Sequence, residues 1–136
     1  METNTPDLSG IHVLLVEDNE LNIEIAKFML EDAGALVEAV MDGKQAVSAY
    51  LDAAPGAYDV VLMDIMMPVM NGYEATRKIR SSGRSDSLSV PIIATTACVT
   101  ENARKEGESA GFTAFMTKPL DMSKLLQMIQ QFKNCK

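Results

Sequence analysis

The chain has 136 residues, 47% of them apolar, and a formal charge of -7 at pH 7. That length suits one domain, able to bury roughly two thirds of its unfolded surface without staples. Its acid excess and lack of clustered Lys and Arg exclude a nucleic-acid surface. No apolar run approaches the roughly twenty residues that cross a bilayer and no N-terminal signal pattern is present, so a soluble, cytoplasmic protein without membrane insertion is expected. The thiols Cys98 and Cys135 lack the spacing of a metal knuckle or redox pair and read as ordinary reduced cysteines.

Residues 1–10, METNTPDLSG, show no periodicity and read as a flexible tail ahead of a domain spanning 11–134. Ile11 to Val16 is a short branched apolar run, as in a strand buried on both faces. Asn19 suits the cap of a helix whose apolar positions Leu21, Ile25, Phe28 and Met29 share one face, with Gly34 at its left-handed stop. A strand around Ala35 to Val40 and a helix around Gly43 to Ala53 follow, with Ala46, Val47 and Tyr50 inward and Pro55-Gly56 closing. Asp59 to Met63 is the strongest strand and leads into Asp64, after which Pro68 and Gly72 forbid further strand. A helix carrying Tyr73, Thr76 and Ile79 comes next, then the Ser-rich loop SSGRSDSLS and a fourth strand, Pro91 to Thr95. Thr100 to Ala110 is helical in composition yet has few large apolar residues. Phe112 to Thr117 makes a fifth strand, and a last helix turns Met122, Leu125, Leu126, Ile129 and Phe132 inward. The lone histidine, His12, falls within the first strand, where a core position is expected.

Strict alternation of strands and helices implies a parallel sheet covered on both faces, an α/β fold. Ligands of such sheets sit beyond the carboxyl ends of the strands, where strand order reverses. The residues that follow the strands are Glu17 and Asp18, then Asp64, then Thr96 and Ala97, then Lys118 and Pro119, so the candidate chemistry falls on one rim. Taken singly, each has an ordinary explanation: a Glu-Asp turn, a turn aspartate, a strand-end hydroxyl, a surface lysine. Together they demand another. Three carboxylates in one place raise one another's pKa unless a cation intervenes, and oxygen donors without His or Cys suit a hard ion, Mg2+ before Ca2+ or Zn2+. A carboxylate that attacks a phosphorylated donor meets anion repulsion, which a metal and Lys118 would neutralise. Thr96 offers a hydroxyl to a phosphoryl oxygen, and the small Ala97 leaves access.

The segments VLLVEDNELN, VVLMDIMMPVMNGYEATRKIR, PIIATTA and FMTKP resemble the signatures of response-regulator receiver domains over about Ile11 to Phe132. The resemblance implies a flavodoxin-like (βα)5 three-layer sandwich with a parallel sheet of order 2-1-3-4-5. It implies phosphoryl transfer from a phosphohistidine, on a histidine kinase or histidine phosphotransfer protein, to Asp64, with Mg2+ held by Glu17, Asp18, Asp64 and the main-chain carbonyl of Met66. By the same likeness Thr96 is the switch hydroxyl, Lys118 contacts the phosphoryl group, and Lys118-Pro119 is a cis peptide. Phe115 matches the aromatic switch position, where it would report by packing alone, having no hydroxyl. Switching would alter the surface around the fourth helix, fifth strand and fifth helix. Met66 and Cys98 stand where lifetime is tuned, and neither orients water well, so a long-lived phosphoryl group is expected. EDNELN and MDIMMPVMNGYEAT look more like receivers of hybrid sensor kinases than those of transcription factors.

Other classes fit less well. An aspartyl-phosphate hydrolase of the haloacid dehalogenase type needs a second Asp two residues after the nucleophile, where Met66 stands. A flavin carrier of the same fold needs hydroxyls and N–H groups in its first loop, where Glu17, Asp18 and Glu20 stand. A degenerate, purely binding receiver is disfavoured because no expected site residue is missing. Without ATP-binding glycine motifs, the chain is read as no enzyme beyond its own phosphorylation and slow dephosphorylation. Nothing in the sequence assigns an oligomeric state.

Overall fold

Runs of branched apolar residues have no stable place on a surface and become strands when both faces of a sheet are covered. The computed structural model, which describes residues 7–66, 69–97, 100–118 and 120–134, shows five such strands alternating with five helices. They are β1 (His12–Val16), α1 (Glu20–Asp32), β2 (Leu36–Val40), α2 (Gly43–Asp52), β3 (Val60–Asp64), α3 (Gly72–Arg80), β4 (Ile92–Thr96), α4 (Glu101–Ala110), β5 (Ala114–Thr117) and α5 (Met122–Asn134). All neighbours pair in parallel and the order is β2-β1-β3-β4-β5, as expected.

Alternation along each strand divides the core in two. Val13, Leu15, Val60, Leu62 and Ile93 face Ala26 and Leu30 of α1 and Leu125, Leu126 and Ile129 of α5. On the other side Leu14, Val61, Met63, Ile92 and Ala94 face Ala46 and Tyr50 of α2 and Ala75 and Ile79 of α3. Every residue of β3 is buried. The sheet order reverses between β1 and β3, so a crevice opens where their carboxyl ends part.

Local signals end the helices as expected. Asn19 caps α1 by accepting from the Asn22 N–H at 3.0 Å, and Gly34 follows the helix at φ 106°. The buried face of α1 is not the expected one. Leu21, Ile25 and Phe28 are 64, 51 and 66% exposed, while Ala26 and Leu30 are buried and Ile23 packs against the core. The space between α1 and the sheet is closed by the smaller stripe, and the larger one faces outward.

Two further expectations change. His12 is exposed, not core: it opens β1 at the amino edge, its N–H donates to Asp59 Oδ2 at 2.8 Å, and its ring lies 3.8 Å from the same oxygen. Of the expected tail, residues 7–10 are described: Leu8 is fully buried with its N–H donating to Ala33 O at 2.8 Å, while Asp7, Ser9 and Gly10 are exposed. The Ser-rich connection is an anchored segment. From it Arg84 donates to Tyr50 O, Leu51 O and Ala53 O at the end of α2, at 3.0, 2.7 and 2.6 Å. Arg80, at the end of α3, donates to Gly111 O, Ser87 O, Val90 O and Thr113 Oγ1, which ties this segment to the start of β5. Burial lowers the pKa of Arg80, and carbonyl dipoles stand in for a counter-ion. Pro68, Cys135 and residues 1–6 lie outside the described residues.

Candidate functional site

Each candidate side chain is delivered by the carboxyl end of a strand. Glu17 extends β1, its N–H donating to Val40 O at 3.0 Å, and Asp18 follows it. Asp64 ends β3 and Thr96 ends β4. Lys118 follows β5 and prolongs the ladder through its N–H to Thr96 O at 2.7 Å. Gly72 lets α3 begin hard against the site, since a Cβ there would lie 2.5 Å from the Asp64 carbonyl oxygen.

One oxygen from each of Glu17, Asp18 and Asp64 lies within 4.8 Å of the others. Glu17 and Asp64 are buried, whereas Asp18 is exposed and opens the notch to solvent. The Lys118 ammonium sits 3.0 Å from Glu17 Oε1 and 3.0 Å from Asp64 Oδ2. Asp64 Oδ1 accepts from the Met66 N–H at 3.2 Å. Burial raises the pKa of Asp64, opposed by the hydrogen bond and charge of Lys118, and Glu17 pushes it up again. Burial would lower the pKa of Lys118, but its hydrogen bonds to Asp64 and Glu17 outweigh this and raise it. Three carboxylates face one ammonium, so negative charge is left over. Oxygen donors with an open side suit a hard divalent cation that keeps part of its water shell.

Thr96 is buried, paired in register with Thr117, and its carbonyl is the acceptor for Lys118. Phe115 is half-buried on the α3–α4 side of the sheet, its ring centroid 5.8 Å from that of Phe112. Met66 is 74% exposed on the loop after Asp64. Cys98 and the Lys118-Pro119 peptide fall outside the described residues, because positions 98 and 119 do.

Of two further residues in the site, Asn19 was read from sequence only as a helix cap and Asn22 was not singled out. The Asn19 N–H and the Asn22 side-chain amide donate to Glu17 Oε2 at 3.2 and 3.4 Å, fixing that carboxylate opposite Lys118. An asparagine two or five residues beyond an acid is the only trace of this in the sequence, and helix capping accounts for it equally well.

A doubly wound sheet of this order, with an acidic notch, a lysine and a strand-end threonine on one rim, defines a receiver-type domain. Residues 13–130 match the family model for the response regulator receiver domain, and the chain belongs to that family. It is 38% identical over 133 residues to Probable histidine kinase 2 of Oryza sativa subsp. japonica, covering 90% of this chain and 13% of that protein. It is 38% identical over 125 residues to the aerobic respiration control sensor protein ArcB of Escherichia coli K12, covering 92% of this chain and 15% of that one. The chain therefore spans less than a sixth of either kinase. Among solved structures, the receiver domain of sensor histidine kinase PA1611 from Pseudomonas aeruginosa PAO1 superposes with a TM-score of 0.81 at 36% identity, covering 93% of this chain and 99% of that one. That structure has a magnesium ion coordinated in its active site cleft. The expected likeness to receivers of sensor kinases is thus borne out, and nothing found supports the hydrolase alternative.

Proposed function

We propose that Asp64 accepts a phosphoryl group from a phosphohistidine of a histidine kinase or histidine phosphotransfer protein, in a Mg2+-dependent reaction. The observation that carries this is Lys118 on Asp64 Oδ2 beside three clustered carboxylates. A carboxylate oxygen of Asp64 forms the new O–P bond as the N–P bond to imidazole breaks, and the leaving imidazole takes a proton from solvent. Lys118 is placed to offset charge on the incoming phosphoryl oxygens, and the buried Thr96 to donate its hydroxyl to one of them. Mg2+, when bound, supplies further neutralisation of that group. Glu17, Asp18, Asp64 and the Met66 carbonyl would hold the ion.

The partner is read as helical. The outward stripe Leu21, Ile25 and Phe28 borders a cleft lined by Ile25, Asn22, Glu17, Lys118, Leu120 and Met122, which joins apolar surface to the acidic notch. The output surface is α4, β5 and α5, with Phe115 as its aromatic reporter, because α4 buries so little of its own. Exposed Met66 orients no water, and with Cys98 this supports a long-lived phosphoryl group and no enzymatic activity beyond self-phosphorylation and slow self-dephosphorylation. We place the domain in the cytoplasm; among the described residues no helix is long and apolar enough to cross a membrane. The packed domain is taken to begin near Leu8 and run to about residue 134.

Incubation with acetyl phosphate with and without Mg2+, followed by intact mass, tests the chemistry. Labelling that needs the metal and disappears in Asp64→Asn is expected, and labelling that persists in that variant would refute the assignment. A phosphorylated histidine phosphotransfer protein should then pass its label to the native chain.

A further inference from the structure

The sequence of α4, ENARKEGESA, contains no large apolar residue, and Gly107 and Ala110 are its buried positions. A helix with so little to bury is held by what its neighbours push into it. Phe115 of β5 does this. A Cβ at Gly107 would lie 2.3 Å from Phe115 Cζ and 2.5 Å from Cε2, far inside van der Waals contact. The ring therefore occupies the volume that any other side chain at 107 would fill. Phe112 lies against it with ring centroids 5.8 Å apart, and the Arg104 guanidinium stands 5.8 Å from the Phe115 centroid. Ala110 also joins the core cluster on this face, and the other ties described for α4 are polar. Tyr73 donates its hydroxyl to Ala103 O at 3.3 Å, Arg77 and Glu106 form an exposed pair at 3.7 Å, and Arg80 grips Gly111 O beyond the helix end at 2.9 and 2.7 Å.

We propose that Gly107 is a positioning residue: the side chain it lacks is the socket for the Phe115 ring, and the seated ring is the main apolar tie between α4 and the sheet. Gly is the poorest helix-interior residue after Pro, and the ring is what that choice secures. With the ring unseated, α4 stays hinged at Gly111 through Arg80 but loses its central contact. The socket stands on packing alone, while its use as a reporter of phosphorylation rests on the function proposed for Asp64. Phe115 and Ala94 are register partners, and Thr96 lies two residues beyond Ala94 on the same face of the sheet, so ring and hydroxyl look toward the same helix.

The test is Gly107→Ala in two backgrounds, native and Phe115→Leu, because Leu lacks the distal ring atoms that fill the socket. In the native background Tm should fall, although Ala is the better helix former. In the Leu background the same substitution should raise Tm by about 2–5 °C. A rise in both backgrounds, as helix propensity alone would give, or a fall in both, as crowding unrelated to the ring would give, overturns the socket. Phe115→Met replaces Phe115→Leu should the latter not fold. Amide exchange within α4 should speed by at least about tenfold in Gly107→Ala, and unchanged exchange there overturns the tie to α4. Labelling at Asp64 should change α4 exchange in the native protein and not in Gly107→Ala. Equal changes in both overturn the reporter role, whereas failure of Asp64 to label at all refutes the acceptor assignment and leaves the Tm reversal standing as the test of the socket.

Discussion

Replacing Lys118 by methionine isolates the charge balance of the site, since Met keeps most of the aliphatic stem and removes the ammonium. That ammonium lies 3.0 Å from each of two carboxylates whose side chains are 7 and 4% exposed. Removing one partner of a buried pair costs about 3–5 kcal/mol. The lysine is 24% exposed and the Asp18 side is open to water, so about 2–3 kcal/mol is expected. The dependence on pH has a definite sign. The pKa of Lys118 is raised in the fold, so its contribution is complete below the ordinary value of 10.5 and fades as pH climbs through the higher folded value. Asp64, whose pKa is also raised, has the same sign in a lower window: its ionisation costs stability as pH rises from the unfolded value through the folded one. Without Lys118 that cost grows. Urea unfolding should therefore show the smallest gap between Lys118→Met and native protein in acid, a wide gap at neutral pH, and a gap that begins to close only above pH 10.5. Millimolar Mg2+ should stabilise the variant more than the native protein, by standing in for the lost charge. A variant within about 0.5 kcal/mol of native from acid to neutral pH, or equal gains from Mg2+, would refute this account of the notch.

Arg84→Ala should cost about 2 kcal/mol in urea unfolding, because three terminal carbonyls of α2 lose a charged donor, and Arg84→Lys should recover less than half of it. Leu8→Ala should cost about 3 kcal/mol, the signature of a core leucine; a change near zero would return residues 7–10 to the tail. Val69, held at φ 67° in the loop after Asp64, is a β-branched residue in left-handed backbone, so Val69→Gly should raise stability by about 0.5–1 kcal/mol in the same assay. Phe28→Ser, at a 66% exposed position, should leave Tm within a degree or two, slow transfer from a phosphohistidine protein, and leave labelling by acetyl phosphate unchanged.

The sheet was legible because a continuous branched run such as VVLM in β3 has one stable setting, and the strand order followed from the family likeness. The acidic notch was legible because parallel sheets send each strand's carboxyl end to a common rim, so reading the residues just after the runs picked out Glu17, Asp18, Asp64 and Lys118, which the fold brings together. The arginine anchors were not. Arg80 and Arg84 bind backbone carbonyls, and every residue carries one, so no pattern of side chains marks the partner. Leu8 was hidden for a similar reason, being a single apolar residue in a polar stretch, and periodicity needs at least two.

α1 shows where periodicity stops informing. Leu21, Ile25 and Phe28 recur at helical spacing, and so do Ile23, Ala26 and Leu30, nearly half a turn away around the helix. Volume favoured the first set as the core face, and the structure uses the second. Spacing measures only that a face is apolar; what lies opposite that face is decided by elements far away in sequence, here β1, β3 and α5. Leaving three large apolar side chains in water forgoes the stabilisation that burying them would bring, about 1.5–3 kcal/mol each. A chain with no use for that surface would gain by making it polar. Ile25 of this stripe lines the cleft that contains Glu17 and Lys118, which supports the proposal that a phosphodonor approaches over the same side chains that misled the search for a core.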